Sequence, residues 1–480
     1  MGARLERGGV IDGYTLEEPI HEQGMASLWR VSAPDQPPRV MKVPLLREGD
    51  DPTAMVGFEV EQMIMPSLHG PHVPRFIASG DFSAQPYIVM EYIRGDSLRG
   101  WLGRTPLDAE EVARIGAEIA TALHSLHRQH VVHLDLKPSN VMFRDTGEAV
   151  LVDFGFSRHD RLPDLLAEQF RLPMGTAPYI SPEQVLRIRN DSRSDIFALG
   201  AVLYHLITGA RAFGCPTTIF GLRKRLYRDP VPPRARNARC PAWLQEIILR
   251  CLDADPRERY QSAAQALFAL RHPGQVALTD RARKLRQDGV MTVTRRWMRT
   301  LGAVHAERWQ STAVQTARSP VVVVALDLHG STEALLGAIR ATTERVLSTH
   351  PGARLACVTV LRTSRLAMDV TVDEEGRNLR VLRLVELTQW ARPLGLSEGR
   401  STYHVLEGHD PASAVVGFVR DNHVDHVVIG ARGASPLRRY LGSVSAHVVA
   451  ESPCTVTVVR VAQTGDAEKD EEEEGGAEAS

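Results

Sequence analysis

The stretch VVHLDLKPSNVMF, residues 131–143, decides how this sequence is interpreted. Two short apolar runs enclose a polar loop that carries Asp135, Lys137 and Asn140 at fixed spacing. A second stretch, VLVDFGFSR, places Asp153 on a further loop between apolar runs. A carboxylate can accept a proton, an ammonium group can neutralise an anion, and carboxylate and amide oxygens are the ligands that Mg²⁺ prefers. These four side chains are therefore the first candidates for an active site.

The first stretch resembles the catalytic loop of protein kinases, and the triplet DFG that begins at Asp153 resembles their metal-binding triplet. The resemblance implies ATP and Mg²⁺ as cofactors, with Mn²⁺ as an alternative. It implies that Asp135 is the catalytic base, that Lys137 neutralises charge on the transferred phosphoryl group, and that Asn140 and Asp153 hold the metal. The letters DLKPSN are typical of the bacterial Hanks-type serine/threonine kinases, so the expected substrates are protein Ser and Thr hydroxyls.

Residues before this loop complete the expected ATP site. The run RVMKVP offers Lys42 for the α- and β-phosphates, and Glu61 follows 19 residues later as its partner, with Glu59 as the rival. The other ATP-binding candidates are Leu28, Val40, the gatekeeper Met90, the hinge residues Glu91 and Tyr92, and the lid residues Gln23 and Gly24.

The lid, PIHEQGMASLWRV at residues 19–31, departs from the kinase pattern. His21, Gln23 and Ala26 stand at its three glycine positions, with Gly24 between them. Glycine permits unusual backbone angles and lets N–H groups approach phosphates closely. We therefore expect weakened ATP binding, and the alternative to an active kinase is a pseudokinase scaffold that binds nucleotide or partners with little turnover.

The segment between Asp153 and Glu183 resembles an activation segment. The resemblance implies an ion pair between Glu183 and Arg259, bracing of the catalytic loop by Asp195, and a structural role for Thr176. Leu134 replaces the arginine whose charge a phosphorylated activation loop normally balances. The hydroxyl residues of the segment are Ser157, Thr176, Tyr179 and Ser181. We expect activity that does not require phosphorylation of this segment.

The order of patterns along the chain predicts two folded domains. Strand-like runs followed by long helical periodicity predict an α+β bilobal protein kinase fold over residues 10–271. Residues 272–318 form a basic linker in which Trp297, Leu301 and Val304 recur at helical spacing. That helix either packs on one of its own domains or binds a membrane surface or partner. The acidic residues 463–480 are expected to be disordered.

Residues 319–462 alternate apolar strands with helical stretches, which predicts an α/β doubly wound sheet. They resemble the universal stress protein family, which implies nucleotide sensing or assembly in stress signalling. The nucleotide candidates are Asp327, Gly430, Gly433, Gly442 and Ser443. Arg438 and Arg439 either contact phosphate or face solvent. The alternative is that the glycines serve tight turns and helix packing. By resemblance, the last strand is expected to form a homodimer edge.

Composition and charge bear on several other classes of protein. With 57 basic and 58 acidic residues the formal charge is −1, so no global field favours nucleic acid. No apolar run approaches the roughly 20 residues of a membrane span. The N-terminus lacks a signal-peptide core, which favours the cytoplasm. The five cysteines are scattered and predict neither a zinc site nor a disulfide framework.

Overall fold

The computed structural model describes residues 5–21, 26–34, 36–45, 52–80, 85–303, 320–350, 352–362, 378–396, 400–431 and 442–461. It divides into two compact units, Met1–Val314 and Gln315–Ser480. Each unit is described by itself.

The first unit begins with a six-stranded antiparallel sheet in the order β1-β2-β3-β4-β6-β5. Its elements are β1 (Val10–Ile11), β2 (Tyr14–His21), β3 (Ala26–Ser32), β4 (Arg39–Pro44), β5 (Phe76–Gly80) and β6 (Tyr87–Glu91), with helix α1 (Pro52–Ile64) between β4 and β5. Alternate residues such as Trp29, Val31, Met41 and Val89 form a small core on one face of the sheet. The other face is left for the side chains at even positions of β3 and β4.

A larger helical lobe follows. Its helices are α2 (Ala109–Arg128), α3 (Leu165–Gln169), α4 (Pro182–Val185), α5 (Arg193–Thr208), α6 (Ile219–Arg223), α7 (Pro233–Arg236), α8 (Ala242–Cys251) and α9 (Ala263–Arg271). The apolar stripe of α2 is fully buried in the main core, together with almost all of α5. Two small antiparallel ribbons carry the functional loops, one of β7 (Val131–Val132) with β10 (Arg158–His159) and one of β8 (Val141–Phe143) with β9 (Ala149–Leu151).

The described part of the predicted linker lies in the first unit. It contains α10 (Asp280–Arg283) and α11 (Val290–Ala303). Asp229 of the helical lobe accepts hydrogen bonds from Lys284 at 2.8 Å and from Arg296 at 2.9 Å. Met291 and Met298 of α11 are 89% and 57% exposed. Arg296 therefore ties α11 to its own domain, while the apolar side chains Val290, Met291, Trp297 and Met298 of the same helix are exposed.

The second unit is built on a five-stranded parallel sheet in the order β13-β12-β11-β14-β15. The strands are β11 (Val321–Ala325), β12 (Arg354–Arg362), β13 (Ser401–Gly408), β14 (His426–Gly430) and β15 (Thr455–Val459), and the helices are α12 (Glu333–Thr349), α13 (Leu379–Ala391), α14 (Pro411–Asp421) and α15 (Ser443–Glu451). The strand order reverses between β11 and β14, and β15 lies at an edge. The predicted fold classes of both domains are confirmed.

Within the described ranges, no helix is long and apolar enough to cross a membrane.

Candidate active site

A buried ammonium group joins three parts of the first unit. Lys42 of β4 donates one hydrogen bond to Glu61 of α1 and another, of 2.8 Å, to Oδ1 of Asp153. Only 15% of the Lys42 side chain and 1% of the Glu61 side chain are exposed. The structure thus selects Glu61 rather than Glu59 as the partner of Lys42.

Mutual attraction keeps Lys42 and Asp153 in their charged forms. Burial acts to lower the pKa of Lys42, but the carboxylates of Asp153 and Glu61 outweigh it and raise the pKa above its ordinary value. Desolvation likewise acts to raise the pKa of Asp153, yet the Lys42 ammonium group brings it down to about 2. A cation for phosphate and an anion for a metal are therefore both present at neutral pH.

Close backbone contact holds α1 against the DFG turn. A β-carbon added at Gly57 would lie 3.1 Å from the carbonyl oxygen of Gly155, and one added at Gly155 would lie 3.2 Å from that of Gly57. Because the neighbour is backbone in both cases, neither position accommodates a side chain easily. This approach brings Glu61 within reach of Lys42, and the backbone N–H of Phe154 also donates to Glu61, at 3.3 Å.

Strand register places three further ATP-binding candidates on the same face of the sheet as Lys42. Leu28 pairs directly with Lys42, and Val40 pairs directly with Met90. Directly paired residues share a face, as do residues two apart on one strand. Leu28, Val40 and Met90 therefore lie on the face that carries the ammonium group.

The carboxylate of Asp135 is held on both oxygens. Oδ1 accepts from the backbone N–H of Thr176 at 2.9 Å and from its hydroxyl at 2.6 Å. Oδ2 accepts from Nζ of Lys137 at 2.6 Å and from Nδ2 of Asn140 at 3.2 Å. Four donors from two distant segments fix the orientation of this carboxylate.

A short hairpin brings the two predicted metal ligands to one place. Strands β8 and β9 pair with Val141 opposite Leu151, so Asn140 before β8 and Asp153 after β9 lie at the same end. The backbone N–H of Val152 donates to the carbonyl oxygen of Asn140 at 3.0 Å, which closes this end of the hairpin.

The oxygen atoms at this end fit Mg²⁺. The Asn140 side chain turns Nδ2 toward Asp135, and its oxygen accepts only from Ser139 at 3.2 Å among the described residues. The side chain of Asp153 is 41% exposed. Mg²⁺ is usually held by one or two protein oxygens together with substrate phosphates and water. In the described part of the chain, no group of three or more His, Cys, Asp or Glu side chains is arranged so that it could hold a metal ion.

Asp195 braces the catalytic loop where its backbone is strained. Leu134 has φ +61° and Asp153 has φ +66°, both in the left-handed region that disfavours side chains. The buried carboxylate of Asp195 accepts from the backbone N–H groups of His133 and Leu134 at 2.9 and 2.8 Å, and lies 2.9 Å from Nε2 of His127. The surrounding hydrogen bonds thus hold the conformation that aims Asp135.

A second buried ion pair anchors the end of the activation segment. Arg259 donates to both oxygens of Glu183, at 2.6 and 2.8 Å, and the hydroxyl of Ser194 donates to the same carboxylate at 2.8 Å. Arg259 is fully buried and its guanidinium group lies 5.0 Å from the ring centre of Phe197. This bidentate pair matches the role expected for Glu183 and Arg259.

The hinge residues have partners of their own. Arg144 donates to both oxygens of Glu91, at 2.6 and 3.1 Å, and this bonding lowers the pKa of Glu91. Its carboxylate is thereby occupied, so an adenine contact from Glu91 would come from its backbone. Glu91 and Tyr92 also line a cavity of about 790 Å³ that Lys42 does not line.

Sequence reasoning missed Arg225, which is 2% exposed. It donates to the carbonyl oxygens of Ile180, of Ala177 at 2.8 Å and of Leu222 at 3.1 Å, and no carboxylate among the described residues pairs with it. Burial lowers its pKa to about 10. No local signal in the sequence distinguishes this arginine from a surface residue.

Gln184 was also missed. Its Nε2 donates to the carbonyl oxygen of Leu134 at 2.7 Å and to that of Met174 at 2.9 Å. It therefore ties the catalytic loop to the activation segment without any charge. Its place directly after Glu183 is the one signal that could have suggested a role.

In the second unit, Asp327 and Gly430 lie at the point where the strand order reverses, which is where open α/β sheets bind ligands. Oδ1 of Asp327 accepts from the backbone N–H of Gly330 at 3.0 Å. A β-carbon at Gly430 would lie 2.9 Å from Ile339 of α12. Gly442 is the N-cap of α15, whose first residue is the candidate Ser443.

Six residues singled out from the sequence lie outside the described part of the chain: Gln23, Gly24, Val304, Gly433, Arg438 and Arg439. The expected acidic tail, residues 463–480, lies outside it as well. They stay predictions.

Comparison with known proteins also divides the chain into two parts. A model of the protein kinase domain matches residues 41–273, and a model of the universal stress protein family matches residues 320–460. The chain therefore carries a protein kinase domain followed by a universal stress protein domain, and the relatives it matches place the first among the bacterial Hanks-type kinases.

Two curated relatives illustrate the match. Serine/threonine-protein kinase PknB of Mycobacterium tuberculosis is 31% identical over 270 residues, which is 55% of this chain and 42% of that protein. A probable serine/threonine-protein kinase of Clostridium perfringens, CPE1738, is 28% identical over 257 residues, covering 53% of this chain and 37% of that protein. The chain thus spans less than half the length of these relatives. The crystal structure of the Mycobacterium tuberculosis PknI kinase domain aligns with a TM-score of 0.44 and 24% identity, over 56% of this chain and 99% of that one.

Proposed function

We propose that the chain is a serine/threonine protein kinase that transfers the γ-phosphoryl group of ATP to protein hydroxyls. The observation that carries the proposal is the assembly of two charged clusters at one site. Lys42 joins Glu61 and Asp153, while Asp135 is fixed by Lys137 and its neighbours.

The chemistry assigned to these residues follows from their positions. Lys42 is available to the α- and β-phosphates, and Lys137 to the phosphoryl group in flight. Asp135 accepts the proton of the attacking hydroxyl, its orientation set by four hydrogen bonds. Mg²⁺, held by Asn140 and Asp153, would supply charge neutralisation at the phosphates.

We propose further that activity does not require phosphorylation of the activation segment. Three of its hydroxyl residues are buried: Ser157 donates to the carbonyl oxygen of His133 at 3.0 Å, Tyr179 lies 3.1 Å from His205, and Ser181 caps α4. The fourth, Thr176, is bound to Asp135. Phosphorylation at any of them would disrupt contacts that the site already uses.

The test is transfer of label from Mg-ATP to a generic acceptor protein by the full chain, before and after phosphatase treatment. Wild type is expected to transfer label equally well in both states, and Asp135→Asn to lose transfer by about 10³-fold or more. Absence of transfer by wild type would favour the pseudokinase alternative. Loss of transfer only after phosphatase treatment would refute independence from phosphorylation.

For the second domain we propose nucleotide sensing and homodimer formation. The location of Asp327 and Gly430 at the strand-order reversal supports a nucleotide site, and the edge position of β15 supports strand-to-strand assembly. ATP titration of the full chain with the kinase site disabled by Lys42→Met, and light scattering for the mass, test the two parts. No binding at millimolar ATP, or a monomeric mass, would contradict them.

A further inference from the structure

Three charged side chains of the first unit meet beside the activation segment. Nε of Arg189 lies 3.1 and 3.0 Å from the two oxygens of Asp164, and Nε of Arg158 lies 3.6 Å from Oδ2 of Asp164. Their side chains are 7%, 15% and 22% exposed, in the order Arg189, Asp164, Arg158. We call these three residues the Asp164 clamp. Because solvent screens these charges less, the attraction within the cluster is stronger than in an ion pair on the open surface.

The clamp connects separate parts of the segment. Arg158 belongs to β10, where it pairs with Val132 just ahead of the catalytic loop. Asp164 is the N-cap of α3. Arg189 follows α4 and also donates, through Nη2, to the carbonyl oxygen of Phe156 at 2.9 Å, directly after the DFG triplet. The beginning, the middle and the far side of the segment are therefore tied at one carboxylate.

Asp164 is the acid that balances both arginines. Nε of Arg158 and Nη1 of Arg189 are buried and find no hydrogen-bond acceptor among the described residues. The nearby carboxylate of Asp160 is 54% exposed and lies 3.9 Å from His130 instead. Removing the Asp164 charge would leave two adjacent guanidinium groups without compensation, which is strongly unfavourable in a shielded site.

We propose that Asp164 is a positioning residue for phosphoryl transfer, acting as the permanent counter-charge that a phosphoryl group on the activation segment would otherwise supply. The inference rests on the proposed kinase function. It adds to that function the contact that keeps the activation segment folded. Leu134 stands where a third cation, an arginine, is expected, so the carboxylate of Asp164 has two arginines to balance and does so without phosphorylation of the segment.

The experiment compares variants of the full chain after phosphatase treatment, with steady-state kinetics toward a generic acceptor. Asp164→Asn keeps the shape and removes the charge. It is expected to lower kcat by about 10-fold or more, because a buried pair is broken, while KM for ATP changes less than about twofold because Lys42 and the hinge are untouched. Asp164→Glu restores the charge and is expected to recover most of kcat. Asp160→Asn, an exposed carboxylate of the same segment, is the matched control and leaves kcat unchanged.

Amide hydrogen exchange over residues 156–190 gives a readout that needs no turnover. Faster exchange in Asp164→Asn than in Asp160→Asn is expected. Equal exchange, wild-type kcat in Asp164→Asn, or failure of Asp164→Glu to recover activity would overturn the clamp. If wild type transfers no phosphoryl group, the proposed function fails. Amide hydrogen exchange alone then tests whether the Asp164 clamp holds the segment. If Asp164→Asn does not fold, Arg158→Gln, at the most exposed member, is expected to give a smaller effect of the same kind, and no effect from it would overturn the clamp.

Discussion

The two candidate sites of this chain differ in the physical reason for the residues that form them. In the kinase domain, Lys42, Glu61 and Asp153 come from three separate parts of the chain and are joined by partly buried hydrogen bonds between charged groups. Burying charges is costly, and neither the sheet nor the helix needs these contacts for its own formation. In the universal stress protein domain, helix packing accounts for Gly430 and a local turn accounts for one contact of Asp327.

The difference separates two kinds of evidence for function. A cluster that the fold alone would not assemble indicates chemistry. A glycine that the packing already requires indicates the fold, and in that domain the position at the strand-order reversal is what points to a ligand.

The largest effect is expected at the kinase cluster. Asp153→Asn should lower phosphoryl transfer by about 10³-fold, since it removes the charge that pairs with the Lys42 ammonium group and that would hold the metal. Asp145→Asn, at an exposed turn residue of the β8–β9 hairpin, is the control and should match wild type. Retention of more than a tenth of the activity by Asp153→Asn would mean that this cluster does not indicate chemistry.

A smaller loss, about 10²-fold in kcat/KM, is expected for Glu61→Gln, because Lys42 would lose the partner that orients it while keeping Asp153. Glu59→Gln, two residues earlier on α1, should change kcat/KM by less than about twofold. Steady-state kinetics with ATP varied would distinguish the two. Equal losses in both variants would remove the basis for choosing Glu61.

The sequence alone could identify Asp153, because kinase motifs are short and their internal spacing is fixed, whereas the choice between Glu61 and Glu59 needed the hydrogen bond to Lys42. Asp135, Lys137 and Asn140 fall within six consecutive residues, so one loop positions all three. The fold classes of both domains could be predicted for a similar reason, since the apolar periodicity changes visibly from helix to strand along the chain.

What could not be predicted depends on partners far away in sequence. Arg225 bonds to carbonyl groups 45 and 48 residues away, and Arg189 to Asp164 over 25 residues. In the sequence each arginine resembles a solvated surface charge, because nothing local indicates burial. The attachment of residues 280–303 to the helical lobe was open for the same reason, as it depends on Asp229.

A modest effect on stability is expected in the universal stress protein domain. Gly430→Ala should lower the free energy of unfolding of the second domain by about 1 kcal/mol, because the added methyl group would press on the flexible end of Ile339. Thermal denaturation without nucleotide measures this. Gly337→Ala, inside α12 where no atom lies within 4 Å of the added carbon, is the matched glycine control and should raise the stability instead, because alanine favours the helix over glycine. A wild-type stability for Gly430→Ala would show that packing does not require this glycine.

The smallest effect concerns the lid, where kinase chemistry and glycine geometry meet in one place. His21, Gln23 and Ala26 replace the glycines that would let backbone N–H groups reach the phosphates, yet Leu28 and Lys42 are paired across β3 and β4 as an ATP site needs. Restoring glycine in the double variant Gln23→Gly with Ala26→Gly should lower KM for ATP about 3-fold, close to the difference of one weak hydrogen bond. In the proposed mechanism the transferred charge is neutralised by the two lysines and by the metal that Asn140 and Asp153 would hold, not by the lid, so kcat should stay the same. An unchanged KM would mean that the lid sequence, like Gly430, is explained by the fold. A fall in KM would mean that the lid sequence, like Lys42, is explained by substrate binding.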